Sequence, residues 1–564
     1  MVVKEQYEAK IAGFWSTWLR NICVAGLGGG LLALCPSIGS AATPQDAAAG
    51  HVDPALQREQ FESLRRQQIQ EEQAERKPTG GVSKVIEEDG EFVQSDQVVT
   101  LSGIRFSKSV FLKPDELESL ASAYIGKPQK LSDLKDLLKA INARYRGANQ
   151  LTARAFIAPQ DLHDGVLRVL LIESKVDHLT ISGEDRHVAD SYYMERLSVS
   201  PGAVLDTATL MTAIQRFNAT TVGPTATVNL APGSEFASTN VDVEVVEPPV
   251  LQPSVFVNNY GPASTGRDQM GTAFVWFSPT RAADSLTLYG VTSRGSNYLD
   301  LQYARPVNVS GGSVYVDASD SKTALVGGGL EQFNIKGEGN TYTLGFDQPW
   351  WLSNELLFQT GVGATQQHTK NSIGSVLLSE VEMNEIFLRG QLVYRNESWY
   401  AMYEQKVRNA DSHNLLTNVS GNHWIFGGRG YVAHNWDAKL TSTLSFGWQK
   451  ANSPAQLPAG LSYALGGMSS VRGYDSGSVT APGGYNLQLG VSWKLSDQWR
   501  QEVFSDYAKA MDLGVGQASL SSIGTGLSYA ANNHVSVALT AVSTLNKVLP
   551  TQEKNQVLLQ VTLK

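Results

Sequence analysis

The chain has 564 residues, room for several domains, with 52 glycines and an apolar fraction of 42%; that mixture suits many strands and turns better than one helical core. Its 45 Lys and Arg against 54 Asp and Glu give a net charge of −9, which argues against a nucleic-acid partner. Its two cysteines, Cys23 and Cys35, both fall in an N-terminal leader, so the mature chain is expected to form no disulfide and to hold no metal through thiolates.

The sustained apolar run is Ile22 to Leu34, with Lys4, Lys10 and Arg20 ahead of it and Gly39, Ser40, Ala41 and Ala42 behind. It is shorter than the ~20 residues of a spanning helix, and reads as a secretory signal peptide over residues 1–42, cleaved after Ala42. In the region 43–77, Asp53-Pro54 offers an N-cap followed by proline at the first helical position. Ala55 to Lys77 lacks glycine and proline, and Pro78 ends the run. Leu56, Phe61, Leu64 and Ile69 make only a thin apolar stripe, so a wet helix is expected. At 1.5 Å per residue it spans about 36 Å, enough to thread a pore through a ~30 Å hydrocarbon layer; a short coiled coil or a solvated arm are the alternatives. Residues 78–96, with Gly80-Gly81 and the acidic run Glu87-Glu88-Asp89, read as a flexible linker.

Thr100-Leu101-Ser102-Gly103 recurs as Thr180-Ile181-Ser182-Gly183, which implies two copies of one small α+β domain, at 97–174 and 175–248. In the first, Pro114 opens a helix with Leu117, Leu120, Ala121 and Tyr124 on one face. A second helix carries Leu131, Leu134, Leu137, Leu138, Ile141 and Tyr145, and strands follow around Leu151 to Ile157 and Val166 to Glu173. The second copy has a helix from about Thr207 to Phe217 and strands near Thr225 to Leu230 and Val241 to Val246. Pro248-Pro249 marks its end.

From residue 249 onward the texture is alternation. Tyr485, Leu487, Leu489, Val491 and Trp493 interleave with polar or small residues, as do Val557, Leu559, Val561 and Leu563. About sixteen strands can be numbered from Leu251. Tight connections at Asn396 to Ser398, His434 to Asp437, Ser496 to Asp497 and Asn532 to Asn533 alternate with long ones at 321–338, 368–381 and 451–482. Short turns on one rim and long loops on the other predict a transmembrane barrel over 249–564, with Trp350, Trp351, Trp399, Trp436 and Trp499 near the membrane interfaces. Lipid satisfies no free strand edge, so Val557 to Leu563 must pair with the strand near Val255.

The longest loop contains Leu465-Gly466-Gly467 and Val471-Arg472-Gly473-Tyr474. A guanidinium inside a pore needs a carboxylate, preferably bidentate. Alternation on Trp499 to Tyr507 turns Arg500, Glu502, Phe504 and Asp506 to the lumen, so Asp506 is available. In this order of parts the whole mature chain resembles the two-partner-secretion transporters, the haemolysin secretion/activation proteins. The resemblance implies a 16-stranded antiparallel outer-membrane β-barrel preceded by two periplasmic POTRA domains and an N-terminal plug helix. It implies that the Val-Arg-Gly-Tyr loop (Val471, Arg472, Gly473, Tyr474) folds back into the lumen. Phe504-Ser505-Asp506-Tyr507-Ala508 looks like the family's Phe-x-Asp-x-Gly wall motif, whose aspartate pairs with the loop arginine, here Arg472 with Asp506. Ala508 stands where the family usually has glycine, and Lys564 where it commonly ends in phenylalanine.

The resemblance also implies export of an unfolded partner, a large β-helical exoprotein such as an adhesin, cytolysin or contact-dependent toxin. Capture would be by β-augmentation on an exposed edge near Thr225, Thr227 and Asn229. Other expected partners are outer-membrane lipid and, during biogenesis, the barrel-assembly machinery, with the transporter itself a monomer. No Walker-type phosphate loop, Gly-x-Ser-x-Gly or His-Glu-x-x-His occurs, so no enzyme, cofactor or metal is expected. A barrel-assembly insertase and a passive porin are the alternative readings.

Overall fold

The structure is a computed structural model. It describes residues 53–564 apart from 76–81, 86–97, 131–132, 163, 198, 328–330, 455–456, 512–517, 533 and 550–551. The expected signal peptide lies outside the described residues.

Helix α1 (Pro54–Glu75) starts where the Asp-Pro pair predicts: Asp53 Oδ1 accepts the Ala55 N–H at 2.9 Å and the Leu56 N–H at 3.4 Å, satisfying two of the donors a helix start leaves open. Strand β1 (Val82–Val85) comes next, inside the stretch whose composition suggests a linker.

The first α+β domain contains β2 (Val98–Thr100), β3 (Gly103–Phe106), α2 (Pro114–Ala121), β4 (Pro128–Lys130), α3 (Leu134–Gly147), β5 (Ala153–Phe156) and β6 (Val166–Glu173). Leu134, Leu137, Leu138, Ile141 and Tyr145 form one helical stripe and bury against Leu167, Val169 and Leu171 of β6. The second domain contains β7 (Lys175–Ser182), α4 (Asp190–Leu197), α5 (Thr207–Thr220), β8 (Thr225–Pro232) and β9 (Ser238–Val246). Its sheet has the order β1-β8-β9-β7. Ala226, Val228, Leu230, Val241, Val243 and Val245 point alternately into a core shared with Leu210, Ile214 and Phe217 of α5. The two domains meet through Gln150, whose Nε2 donates to Asp206 Oδ1 at 2.7 Å.

The barrel begins with β10 (Leu251–Asn258), β11 (Gln269–Phe277), β12 (Ser285–Ser293), β13 (Ser296–Pro306) and β14 (Ser313–Ala324). The long strands are β15 (Ile335–Trp351), β16 (Leu356–Ile373), β17 (Val376–Arg395), β18 (Trp399–Asn414) and β19 (Val419–Asn435). After β20 (Leu440–Ala451), the loop carries a small hairpin, β21 (Tyr463–Leu465) with β22 (Val479–Ala481). The wall resumes with β23 (Gly483–Lys494), β24 (Trp499–Met511), β25 (Ser519–Ala530), β26 (Val535–Thr544) and β27 (Asn555–Leu563). Sixteen antiparallel strands close on themselves, with β27 against β10 from Val255↔Leu563 to Asn258↔Gln560. Asn259 lengthens this short seam with its side chain, which donates to Val557 O at 2.9 Å and accepts from Leu559 N at 2.8 Å.

Val503, Tyr507, Leu487, Leu489, Ile523, Leu539 and Val557 are exposed on the outer face, while Phe504, Asp506 and Gln488 are buried within. Among the described residues no helix is long and apolar enough to cross a membrane. Three of the tight turns are held by an Asx side chain taking two N–H groups: Asn396 from Ser398 and Trp399, Asp437 from Lys439 and Leu440, and Asn532 from His534 and Val535. The same two donors hold the Asp437 carboxyl below the usual carboxylate range.

The barrel corrects one expectation. Residues 368–381 are not a long loop: β16 and β17 stay paired to Ile373↔Val376 and turn at Gly374. At ~3.3 Å per residue and ~45° tilt, the 20 residues of β17 rise far more than the ~25 Å apolar band. Lys370, Asn371 and Ser372 lie above that band and are exposed or half-buried, so the ladder there needs no greasy face and the alternation that marks strands in lipid disappears.

Candidate functional site: a loop lock and a helix in the barrel lumen

The loop between β20 and β23 turns back on Gly466 and Gly467, at φ 104° and 84°. The β21–β22 hairpin buries Leu465, Val471, Tyr474 and Val479 against Ala508, Ala510 and Leu520 of the wall. Gly473 has φ 88°, and a Cβ there would meet Val542 Cγ2 at 3.0 Å, so the tip approaches the wall as closely as only glycine allows.

This fold delivers Arg472 to the wall. Its Nε and Nη2 donate to Asp506 Oδ2 and Oδ1, both at 2.8 Å, and its backbone N–H donates to Asp506 Oδ2 at 3.0 Å. Nη1 reaches Glu502 Oε1 at 3.3 Å, and the guanidinium lies 3.4 Å above the Phe504 ring. A planar fork between two carboxylates and an aromatic face has its charge, its donors and its flat surface all matched. Asp506 is 1% exposed, so an unpaired state of either partner is costly. The Tyr474 hydroxyl donates to Asn546 O at 2.7 Å and reaches Ser521 O at 3.0 Å, pinning the loop tip to β25 and the loop after β26. Val471, Arg472, Gly473, Tyr474, Phe504 and Asp506 are thus gathered at one place. Ala508 fits, because its methyl is part of the buried cluster.

Helix α1 lies inside the same lumen. Phe61 stacks on Tyr298 of β13 with ring centroids 5.2 Å apart, Arg65 pairs with Asp300 at 2.9 Å, and Ser63 Oγ meets Ser469 Oγ of the loop at 2.8 Å. At its C-terminal end Gln73 is held by Tyr400 and Arg395, Glu75 by Arg500 at 2.6 Å, and Glu72 by Lys564 at 2.9 Å. The surrounding wall is charged: Arg429 grips Glu404 through two bonds of 3.0 Å, and Arg389 pairs with Asp347 at 2.5 Å. Few of these contacts are apolar, so the helix is seated by groups that water can replace.

Thr225, Thr227 and Asn229 lie on β8, but the edge expected to be exposed is covered: β1 runs parallel to it, with Lys84 opposite Asn229 and Val85 opposite Leu230. Composition gave no sign of this, since four residues flanked by Gly80-Gly81 and acidic side chains carry too little pattern. Glu502 as a second acceptor, and the anchors of Tyr474 and Phe61, were likewise beyond sequence reading; only the lumen-facing parity of Glu502 hinted at its role. Among the described residues no group of His, Cys, Asp and Glu could hold a metal ion.

Residues 99–174 match the model of the ShlB-type POTRA domain. Residues 237–532, more than half of the chain, match that of the haemolysin secretion/activation protein ShlB/FhaC/HecB. The heme/hemopexin transporter protein HuxB of Haemophilus influenzae is 21% identical over 472 residues, 78% of this chain and 82% of that protein. CdiB from Escherichia coli superposes with a TM-score of 0.66 at 17% identity, over 93% of this chain and 99% of that one. CdiB from Acinetobacter baumannii does so at 0.60 and 13%, over 93% and 100%. These two structural likenesses speak for the fold alone.

Proposed function

Since the chain belongs to the haemolysin secretion/activation family, and is therefore an outer-membrane pore that translocates a partner exoprotein, we propose that its cargo is a large β-helical protein taken up unfolded from the periplasm. The protein is a transporter and not an enzyme, with its POTRA domains in the periplasm. The observation that carries the cargo reading is a closed lumen filled by one polar helix on replaceable contacts. A conduit of this kind suits an extended chain, which needs water-like walls along its whole length and a stopper that can leave.

In this reading capture begins on β8. An extended cargo segment pairs with the backbone of Thr225, Thr227 and Asn229, which reads hydrogen-bonding groups more than sequence, and it must first displace β1. The helix α1 then withdraws, and Arg472 holds or releases the loop according to whether Asp506 and Glu502 keep their partner. Folding of the exported part at the surface supplies the drive by mass action, because a folded segment does not return. The defining experiment compares secreted and surface proteins with and without this chain: disappearance of one large β-rich exoprotein supports the reading, and an unchanged set rejects it. A photoreactive residue at position 227 should capture that exoprotein during export; capture of nothing but the chain's own 82–85 segment would remove β8 from the scheme.

A further inference from the structure

The wall closes around the lumen, but its upper rim does not. The ladder between β18 and β19 runs the whole length of β19, from Asn414↔Val419 to Trp399↔His434. The ladder between β19 and β20 starts only at Ile425↔Ala451. The cause lies in the residues after β20. Asn452 closes the last rung, its N–H donating to Trp424 O at 3.0 Å and its Oδ1 accepting from Trp424 N at 2.9 Å. Pro454, lacking an N–H, is unsuited to extending the ladder. Because the N–H and carbonyl of Trp424 face β20, the period of two turns those of Asn422 and Ser420 to the same side. Among the described residues neither has a backbone partner there, and Ser420-Gly421-Asn422 is therefore a strand edge with no backbone partner on that side.

Its level is set by its neighbours. Trp424 and Phe426 are exposed on the outer face, where aromatic side chains mark the membrane boundary. One step further out the face turns polar, with Asn422 hydrogen-bonded to Asn409 and Asp411. The edge thus stands in water on the side of the barrel opposite the POTRA domains. Proteins blunt such edges with lysine, proline or a bulge. This one has none of them, and the β18–β19 register is unbroken. Beside it, across the top of β18 and β17, Leu415, Leu416, Leu378 and Val376 are exposed.

We propose that this edge receives an extended strand of the exported chain as it leaves the pore, adding it to β19 by backbone hydrogen bonds and giving the exoprotein's own strands a first rung to fold against. The proposal rests on the export reading. The sheet order favours this occupant: the edge faces along the barrel's own rim, above β20 and β23, whose connecting loop descends to the Arg472 lock. A second barrel approaching along that line would meet this rim, whereas a chain emerging from the lumen passes it.

The test uses the full chain in detergent micelles and a peptide of alternating Thr and Val as probe, with a photoreactive phenylalanine analogue at position 420 or, as control, at lipid-facing position 388. An adduct at 420 and none at 388 is expected. Asn422→Pro, which removes an N–H on the free side and leaves the β18 ladder its donors, should lower the yield roughly tenfold. Ser420→Pro with the reporter at 422 repeats the measurement should the first variant fail to assemble. Adducts to a second copy of the chain, no adduct at 420, or a yield that neither proline moves in a heat-modifiable barrel overturns the proposal. In cells, Asn422→Pro should delay the protease-resistant form of the exported protein and slow its export with it, because surface folding supplies the drive. Equal rates count against the edge, whereas absence of any export by the native chain counts against the export reading.

Discussion

Arg472 is tied to Asp506 by three donors and to Glu502 by a single donor, Nη1, at the longer distances of 3.3 and 3.4 Å, and this inequality predicts an order among variants. Arg472→Ala strands a buried carboxylate, a loss of about 3–5 kcal/mol for a buried pair. It should abolish export while the barrel, held by sixteen ladders, stays heat-modifiable on gels. Asp506→Ala should release the loop more than Glu502→Ala, read as protease cleavage after Arg472 in the assembled protein; equal cleavage in both would contradict the geometry. Arg472→Lys should fall between, because an ammonium keeps the charge but not the planar fork over Phe504. The pairing of Arg472 with Asp506 was legible in advance from strand parity and motif. The hold of Tyr474 on Asn546 was not, since 72 residues separate them and no local pattern links a loop tip to a distant carbonyl.

Among the elements, α1 is the one whose sequence and placement bear most directly on function. Its terminal ion pairs, Arg500 with Glu75 and Lys564 with Glu72, are more than half exposed and contribute about 0–1 kcal/mol each; Phe61 on Tyr298 is the firmer anchor. Deleting 53–75 should therefore raise channel conductance in planar bilayers. Phe61→Ala should increase brief openings more than Glu75→Gln does, and raised salt should mimic the latter.

In the second POTRA domain, Asp206 caps α5 by accepting the Thr209 N–H at 3.0 Å. Burial pushes its carboxyl up, but the bonds from Thr209 and Gln150 prevail and hold it below the usual 3.8. A depressed carboxylate stabilises fully above its unfolded value and loses that contribution as pH falls through the lower folded one. Protection of α5 amides against hydrogen exchange should consequently drop below pH ~4 in the native chain. In Asp206→Asn, which still caps, that step should be absent.

For the molecule as a whole, the choice lies between a transporter and the two alternatives left by the sequence. Loss of the chain should remove one exoprotein, with the other outer-membrane barrels at normal abundance in a quantitative proteome; a general fall of barrels would instead mark an insertase. A passive porin would need neither a helix in its lumen nor a lock, and both are present. The tall wall from β15 to β19 belongs to this scale too, because it exists only as paired strands standing above the membrane and vanishes from view in a linear reading of 368–381.

Local periodicity and turn chemistry were enough to indicate about sixteen strands, though not their full length, with the repeated α+β domains, the start of α1 and the side of the wall on which Asp506 stands. Each arises from forces acting between residues near in sequence: alternation against lipid, helical stripes against a core, Asx groups at turns. Only the tertiary structure decided that β1 covers the edge of β8, that Glu502 and Phe504 complete the seat of Arg472, and that β19 outlasts β20. Those are contacts between segments far apart in the chain, where backbone hydrogen bonds are open to any partner of the right shape and only the assembled fold selects one.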